Sequence, residues 1–394
     1  MFLVLILLPV VAVAAADWLH YRRRVHALAP WRRRLFVAWC CATDALPALL
    51  LLAGLLLPDN PTALVRAMMW GVWVWMLAAV PRGVYYLFSL VGLRRAGWGA
   101  GLAAAALLVW GATGGRTRIE VRRMEVRSDR LPAAFDSLRV VQLTDIHVGT
   151  LVAPERELAR LVDSVEALRP DLILFCGDLV NIRSSEMEGA PARILGRLRA
   201  PLGVYSVLGN HDVGTYIKDT AALRPETSRR RLVETQQAMG WRVLEDTTLW
   251  LRRGGDSISL SGISFDPSLR ERRHDRRLPL PQLDRIYRDL PADAWNITLT
   301  HLPQYWDAIL DHGRGDLTLA GHVHAMQLKV RLFGRSYSPA RLLYTRWSGR
   351  YDERGRTLSI CDGSGYVGYP LRLGAPPQIT LITLRRCESP SPRP

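Results

Sequence analysis

Residues 316–324 read DLTLAGHVH, and the reading of this stretch decides the fold. A short apolar run, Leu317–Ala320, gives way to a glycine and then to His322 and His324, one residue apart. Alone, this is an ordinary strand end, an acid/base pair or half of a metal site. Four further stretches follow the same plan: SLRVVQLTD (137–145), PDLILFCGD (170–178), GVYSVLGNHD (203–212) and NITLTHLP (296–303). Each is a short apolar run leading into Asp, Asn or His. Between the first two lies ERELARLVDSVEAL (155–168), with apolar residues at helical spacing. Short apolar runs alternating with helical segments indicate an α/β fold with buried strands. In such folds ligands sit in the loops beyond the carboxyl ends of the strands.

The polar residues at these ends are Asp145 and His147, then Asp178, then Asn210 with His211 and Asp212, then His301, then His322 and His324. The chain has nine histidines, and five of them are in this set. One histidine beside a strand is usually a satisfied structural residue, but a series of this length, mixed with Asp and Asn, points to metal binding. No cysteine belongs to the set, which argues against a structural zinc site. Mixed carboxylate, imidazole and amide oxygen suit Mn, Fe, Zn, Co or Mg. Asp145, His147, Asp178, Asn210, His301, His322 and His324 are too many for one ion with open positions. They suit two ions sharing a carboxylate. Two ions about 3.5–4 Å apart clamp the attacking and leaving oxygens of an in-line displacement, which is phosphoester chemistry.

The 394 residues carry a net charge of +16, almost entirely from Arg. A basic surface favours anionic partners, but no nucleic-acid-binding signature is present, and no nucleic-acid partner is expected. The cysteines, Cys40, Cys41, Cys176, Cys361 and Cys387, are odd in number and dispersed, so they form no disulfide framework.

The first third of the chain reads as membrane. Spanning the hydrocarbon core takes about 20 apolar residues. Four helices are expected at 2–19, 35–57, 67–93 and 96–115, the first short and the third kinked or tilted at Pro81 and Arg82. A signal peptide is the rival reading of 2–16, but that stretch lacks a basic leader and further spans follow. Asp44 and Arg82 lie at membrane depth, where they pair or sit near the interface. The stretch HYRRRVHALAPWRRR and the pair Arg94–Arg95 put basic loops in the cytoplasm. The soluble domain, 116–388, is then expected outside the cytoplasm, followed by a disordered tail at 389–394. The basic RTRIEVRRMEVR after the last span runs against this orientation.

The ordered blocks DIH (145–147), GD (177–178), GNHD (209–212), His301 and GHVH (321–324) resemble those of the calcineurin-like metallophosphoesterases. The resemblance covers about 137–386. The tail GYVGYPLRLGAPPQITLITLR (365–385) is similar to that of the bacterial membrane-associated branch, whose transmembrane members carry a few helices ahead of the domain. The resemblance implies two packed mixed β-sheets flanked by helices, preceded here by an all-α transmembrane region. It implies that Asp145, His147 and His324 hold a first metal, that Asn210, His301 and His322 hold a second, and that Asp178 bridges them. His211 would stabilise the phosphoryl group or protonate the leaving oxygen, with Asp212 orienting it. A metal-bridging hydroxide would be the nucleophile. Where the branch commonly has Gly-Gly-Gln after the last histidine, this chain has Ala325-Met326-Gln327. Such glycines usually mark unusual backbone angles, so the change bears on the pocket and substrate more than on the metals.

Two Arg-rich stretches, 268–281 and 328–351, are either solvated loops or, where Arg is interleaved with Phe, Tyr, Trp and Leu, a rim for an anionic lipid headgroup. The expected function is a membrane-anchored hydrolase of a phosphodiester or pyrophosphate, lipid-linked or envelope-associated, with two divalent ions (Mn, Fe or Zn). The alternatives are UDP-diacylglucosamine-type pyrophosphate hydrolysis on the cytoplasmic face, or a non-catalytic membrane sensor or scaffold.

Overall fold

The computed structural model describes residues 2–269, 272, 278–279 and 281–387. The tail expected at 389–394, and most of the basic stretch 268–281, lie outside the described residues. The chain divides into two compact units, one of residues 1–115 and 368–371, the other of the remainder.

The first unit is helical: α1 (Phe2–His20), α2 (Pro30–Leu56), α3 (Thr62–Leu90) and α4 (Arg94–Trp110). Among the described residues, three helices are long and apolar enough to cross a membrane: Pro30–Leu56, Thr62–Leu90 and Arg94–Gly115. α2 starts at Pro30 rather than at 35, because proline suits a first turn and the arginines after it are good helix formers. The basic residues Arg32–Arg34 therefore sit on a helix end and not in a loop. Pro81 lies within α3. Arg82 pairs with Asp44 (2.6 Å) and with Asp17 (3.1 Å), and Thr43 accepts a further bond from it at 2.9 Å. A guanidinium flanked by two carboxylates is far less costly in an apolar surrounding than any of the three alone.

The second unit holds two six-stranded mixed sheets. In chain order the elements are β1 (Glu120–Ser128), β2 (Arg139–Leu143), α5 (Pro154–Ala167), β3 (Leu172–Phe175), α6 (Ala190–Leu195), β4 (Val204–Ser206), α7 (Pro225–Ala238), β5 (Arg242–Val243), β6 (Thr247–Arg253) and β7 (Asp256–Ile263). They continue with α8 (Leu283–Ile286), β8 (Asn296–Thr300), α9 (Trp306–Asp311), β9 (Leu317–Ala320), β10 (Val330–Leu332), β11 (Arg335–Tyr337), β12 (Gly349–Glu353), β13 (Arg356–Ile360) and β14 (Gln378–Arg386). One sheet runs β1-β14-β2-β3-β4-β5, the other β12-β13-β9-β8-β7-β6, and β10-β11 is a separate hairpin.

The five apolar runs of the sequence are β2, β3 and β4 in one sheet and β8 and β9 in the other. β2, β3 and β4 are mutually parallel, as are β7, β8 and β9. Their carboxyl ends therefore share an edge within each sheet. Between the sheets pack Val140, Leu172 and Leu174 from one side and Leu260, Ile297, Leu299, Leu317 and Leu319 from the other, all essentially inaccessible. Burying each such side chain contributes about 1.5–3 kcal/mol. Gln142 shares a face with Val140, as alternation along a strand requires. Its amide donates to the carbonyls of Ala320 (3.0 Å) and Ser359 (3.2 Å), and its oxygen accepts from Ser359 Oγ (2.7 Å). This satisfied polar bridge ties the sheets together close to the strand ends. α5 buries Leu158, Leu161, Val162 and Val165, the stripe legible in 155–168.

Candidate metal centre

The strand ends of both sheets converge. Nε2 of His324 lies 3.1 Å from Asp145 Oδ1 and 3.1 Å from His147 Nε2. Nε2 of His301 lies 3.1 Å from Asp178 Oδ2 and 3.0 Å from Asn210 Oδ1. His147 Nε2 is 3.7 Å from Asp178 Oδ2. Three groups each bring donor atoms within 4.8 Å of one another: Asp145, His147 and His324; Asp178, His301 and His322; and His147, Asp178 and His211. Asp178 thus belongs to two groups. Asp145, His147, Asp178 and His301 are at most 1% exposed.

The backbone is bent to this purpose. Asp145, His147, Asp178, His322 and His324 all have positive φ, from 47° to 72°. Left-handed conformations in side-chain-bearing residues persist where the surroundings over-determine them, commonly at functional sites. Close packing adds to the constraint: a Cβ on Gly209 would lie 2.1 Å from Asp178 Oδ1, so no larger residue fits there without moving the carboxylate. Thr144 Oγ1 donates to Asp145 Oδ2 (2.8 Å), and the backbone N–H of His211 donates to Asp178 Oδ1 (2.9 Å).

These residues fit divalent ions. His301 Nδ1–H donates to the Cys176 carbonyl at 2.7 Å. A neutral His301 then turns the lone pair of Nε2 onto two oxygens, Asp178 Oδ2 and Asn210 Oδ1. The Nε2 atoms of His147 and His324 face one another and Asp145 in the same way. Lone pairs converging in a buried site require a positive centre among them, either a proton or a metal ion. The second nitrogen of His301 is fixed by a carbonyl, the usual arrangement for a metal-ligating imidazole.

Without metal, protons fill that role. Burial works against a charged His301, but Asp178 outweighs it and pushes the imidazole up to about 9. Burial alone would raise Asp178, yet the charge on His301 and His211 holds it well below the usual carboxylate range. Asp212 is pushed up to about 7 by burial and by the charge of Asp178. The stability consequence follows from linkage. A His301 raised above its unfolded value of 6.5 stabilises fully below that pH, and the contribution is lost as pH rises through about 9. Asp212, raised from 3.8, acts in the same direction as pH rises through about 7. The metal-stripped chain is therefore expected to melt at progressively lower temperature between about pH 6.5 and 9. Mn should reverse the trend, since metal displaces protons from these ligands. Thermal denaturation with chelator and with Mn tests this, and a flat melting temperature in chelator would refute it.

One expected role is corrected. Asp212 does not orient His211. Its Oδ2 accepts the backbone N–H of Asp178 (2.7 Å) and Gly209 (2.9 Å), and its Oδ1 accepts those of Leu179 (2.8 Å) and Val180 (3.1 Å). The carboxylate is a clamp for the two ligand loops. His211 Nδ1 instead lies 2.5 Å from the Asn181 carbonyl, and its ring stacks on Tyr216 at 4.2 Å.

Several residues at the centre escape sequence reasoning. Tyr216 accepts from Asn210 Nδ2 at 2.9 Å, and Tyr344 Oη lies 3.1 Å from His322 Nε2. Arg372 is fully buried, binds the carbonyls of Asp362, Gly365 and Ala375, and reaches within 3.4 Å of His324 Nδ1. Glu186 accepts the N–H groups of Gly149, Asn181 and Ile182. Tyr216, Tyr344, Arg372 and Glu186 stand among many residues of the same kind with no diagnostic spacing. Asn181 acts through its main chain, which no side-chain identity reveals. At the departure Ala325-Met326-Gln327, φ values of 49°, 46° and 56° keep the left-handed path that glycine follows without strain.

This geometry is that of a metal-dependent phosphoester hydrolase. Residues 138–326 match the model for calcineurin-like phosphoesterases, so the chain carries a calcineurin-like metallophosphoesterase domain. It is 28% identical over 292 residues to the uncharacterized metallophosphoesterase YkuE of Bacillus subtilis, covering 72% of this chain and 93% of that one. It is 29% identical over 291 residues to a transmembrane protein with metallophosphoesterase domain of Danio rerio, covering 72% and 62%. It is also 32% identical over 118 residues to the UDP-2,3-diacylglucosamine pyrophosphatase LpxG of Chlamydia muridarum, covering 29% and 36%. The chain thus spans less than two thirds of the Danio and Chlamydia proteins. The apolar helices and the transmembrane relative mark it as a membrane protein.

Proposed function

We propose that this chain is a membrane-anchored phosphodiesterase or pyrophosphatase acting with two divalent ions, Mn, Fe or Zn. The observation that carries the reading is that Asp178 groups with His301 and His322 on one side and, 3.7 Å away, with His147 of the Asp145–His147–His324 set on the other. Asp145, His147 and His324 would hold one ion, Asn210, His301 and His322 the other, with Asp178 shared. Bound there, the ions would supply Lewis acidity, making water a nucleophile near neutral pH and offsetting phosphoryl charge. The chain's own part is orientation. His211, with Nδ1–H given to Asn181 and its ring against Tyr216, would present Nε2 to a phosphoryl or leaving-group oxygen. Asp212 holds the loops of Asp178 and Asn210 in register.

The preferred substrate is a lipid-linked or envelope phosphodiester or pyrophosphate, met outside the cytoplasm at a bacterial inner membrane, an orientation supported by the basic residues between the first two helices and at Arg94–Arg95. The activity for which the Chlamydia relative is named supports a second reading, cleavage of a UDP-diacylglucosamine-type pyrophosphate, which requires the domain on the cytoplasmic face. The test is hydrolysis by the full chain in nanodiscs of bis(p-nitrophenyl) phosphate against p-nitrophenyl phosphate, with Mn, Zn, Mg or chelator. Metal-dependent diester turnover is expected. Bound metal with no turnover of either ester would favour a sensor or scaffold instead.

A further inference from the structure

The β10–β11 hairpin exposes what a soluble surface normally covers. Val330, Leu332 and Tyr337 are 47%, 51% and 37% exposed, Leu342 nearby is 75%, and Phe333 at the tip is 102%. Val330 pairs with Tyr337 and Leu332 with Arg335, so these residues line one face of the ribbon. The turn is Phe333-Gly334, with φ of 49° and 75°. Two positive φ values are natural for a two-residue hairpin turn, but Asn or Gly normally takes the first position. A bulky aromatic there is strained and, in water, buries nothing. An isolated two-stranded ribbon is marginal by itself. The sequence therefore keeps Phe333 against both local conformation and solvation, which points to a partner that receives the ring.

The surrounding charge says what that partner is. From Val323 to Tyr351 the chain has no Asp or Glu, and Arg331 and Arg335 have no acidic partner among the described residues. Exposed apolar side chains with interleaved arginines suit the boundary between anionic headgroups and acyl chains. The last candidate span ends at Gly115 and the second unit begins at Arg116, so a bilayer is joined to this domain in sequence without a spacer. The hairpin is also tied to the metal centre. It leaves directly from the His324 turn, Ser338 Oγ donates to the Ala325 carbonyl at 2.6 Å, and Tyr344 beyond it meets His322.

We propose that the β10–β11 hairpin inserts Phe333, with Leu332 and Val330, into an anionic bilayer surface and thereby holds the mouth of the metal centre beside phosphoesters embedded in that surface. This deepens the reading of the site as a phosphoesterase and rests on it for the substrate, not for the insertion. The test uses the full chain in phosphatidylglycerol-containing nanodiscs, with the exposed Cys41 and Cys387 changed to Ser and a nitroxide attached to Phe333→Cys or, as a control, to Gly355→Cys in the β12–β13 turn. The label at 333 is expected to be more accessible to oxygen than to a water-soluble nickel chelate, and the label at 355 the reverse. Equal chelate access at both positions would overturn the proposal, and so would spin–spin broadening at 333, which would make the partner a second copy. Separately, Phe333→Asp is expected to lower turnover of a diacylglycerol p-nitrophenyl phosphodiester in the nanodisc by about tenfold or more, leaving soluble bis(p-nitrophenyl) phosphate turnover unchanged. If neither ester is cleaved by the parent chain, the phosphoesterase reading fails while the depth measurement still decides the hairpin.

Discussion

Asp178→Asn is expected to lower kcat/KM for a phosphodiester by about a thousandfold and to release at least one of two bound ions per chain. The substitution keeps the volume and one oxygen, so the hydrogen bond from the His211 backbone N–H can persist. What it removes is the negative charge that two donor groups share. His301, whose raised pKa in the metal-free chain comes from Asp178, then has Asn210 and a neutral amide as its neighbours. An ion held by His301, Asn210 and His322 loses its only carboxylate, and affinity for a hard or borderline dication falls accordingly. Metal analysis after gel filtration, beside diester kinetics across a range of Mn, measures both effects. Retention of two ions with activity within tenfold of the parent would show that Asp178 is not shared. Loss of activity with full metal content would instead give the residue a role in the chemistry alone.

Asp212→Ala is expected to destabilise the domain by about 3–5 kcal/mol. The carboxylate accepts four backbone N–H groups, those of Asp178, Leu179, Val180 and Gly209, and is 2% exposed. Each buried donor left unpaired costs about 1–3 kcal/mol, and relaxation of the loop keeps the total below the sum. This outcome separates the clamp from an orienting role. An acid that merely steers His211 would, when changed to Asn, leave the melting temperature unchanged and alter the pH–rate profile. The clamp predicts that melting temperature and kcat/KM fall together, with Asn intermediate between Asp and Ala because one oxygen still accepts. Denaturation midpoints of the three proteins in chelator decide the matter, and an Ala variant as stable as the parent would refute the clamp.

The strand-end pattern carried far in the sequence because two constraints coincide there. A buried strand must be apolar, and a ligand at its carboxyl end must be polar, so the boundary is abrupt at Asp145, Asp178, Asn210, His301 and His322. The helical stripe of 155–168 was legible for a similar reason, since one face of a helix meets the core. The assignment of β2, β3 and β4 to one sheet and β8 and β9 to the other was not legible in that alternation, because alternation is the same whichever sheet a strand joins. The resemblance supplied two sheets, and pairing fixed their membership.

By itself, then, the sequence determined the class of fold, the donor types of the candidate site and the apolar helices, because hydrophobic patterning and donor chemistry are local properties of residues. Only the tertiary structure decided that Asp212 clamps backbone while Asn181 holds His211, that Tyr344 and the buried Arg372 back the histidines, and that Ala325 and Met326 keep a path suited to glycine. It also decided that Arg82 binds Asp17 as well as Asp44. The physical reason is common to all of these. Hydrogen bonds and ion pairs join groups tens to hundreds of residues apart, often through main-chain atoms that every residue shares, and only the closed fold selects which donor meets which acceptor.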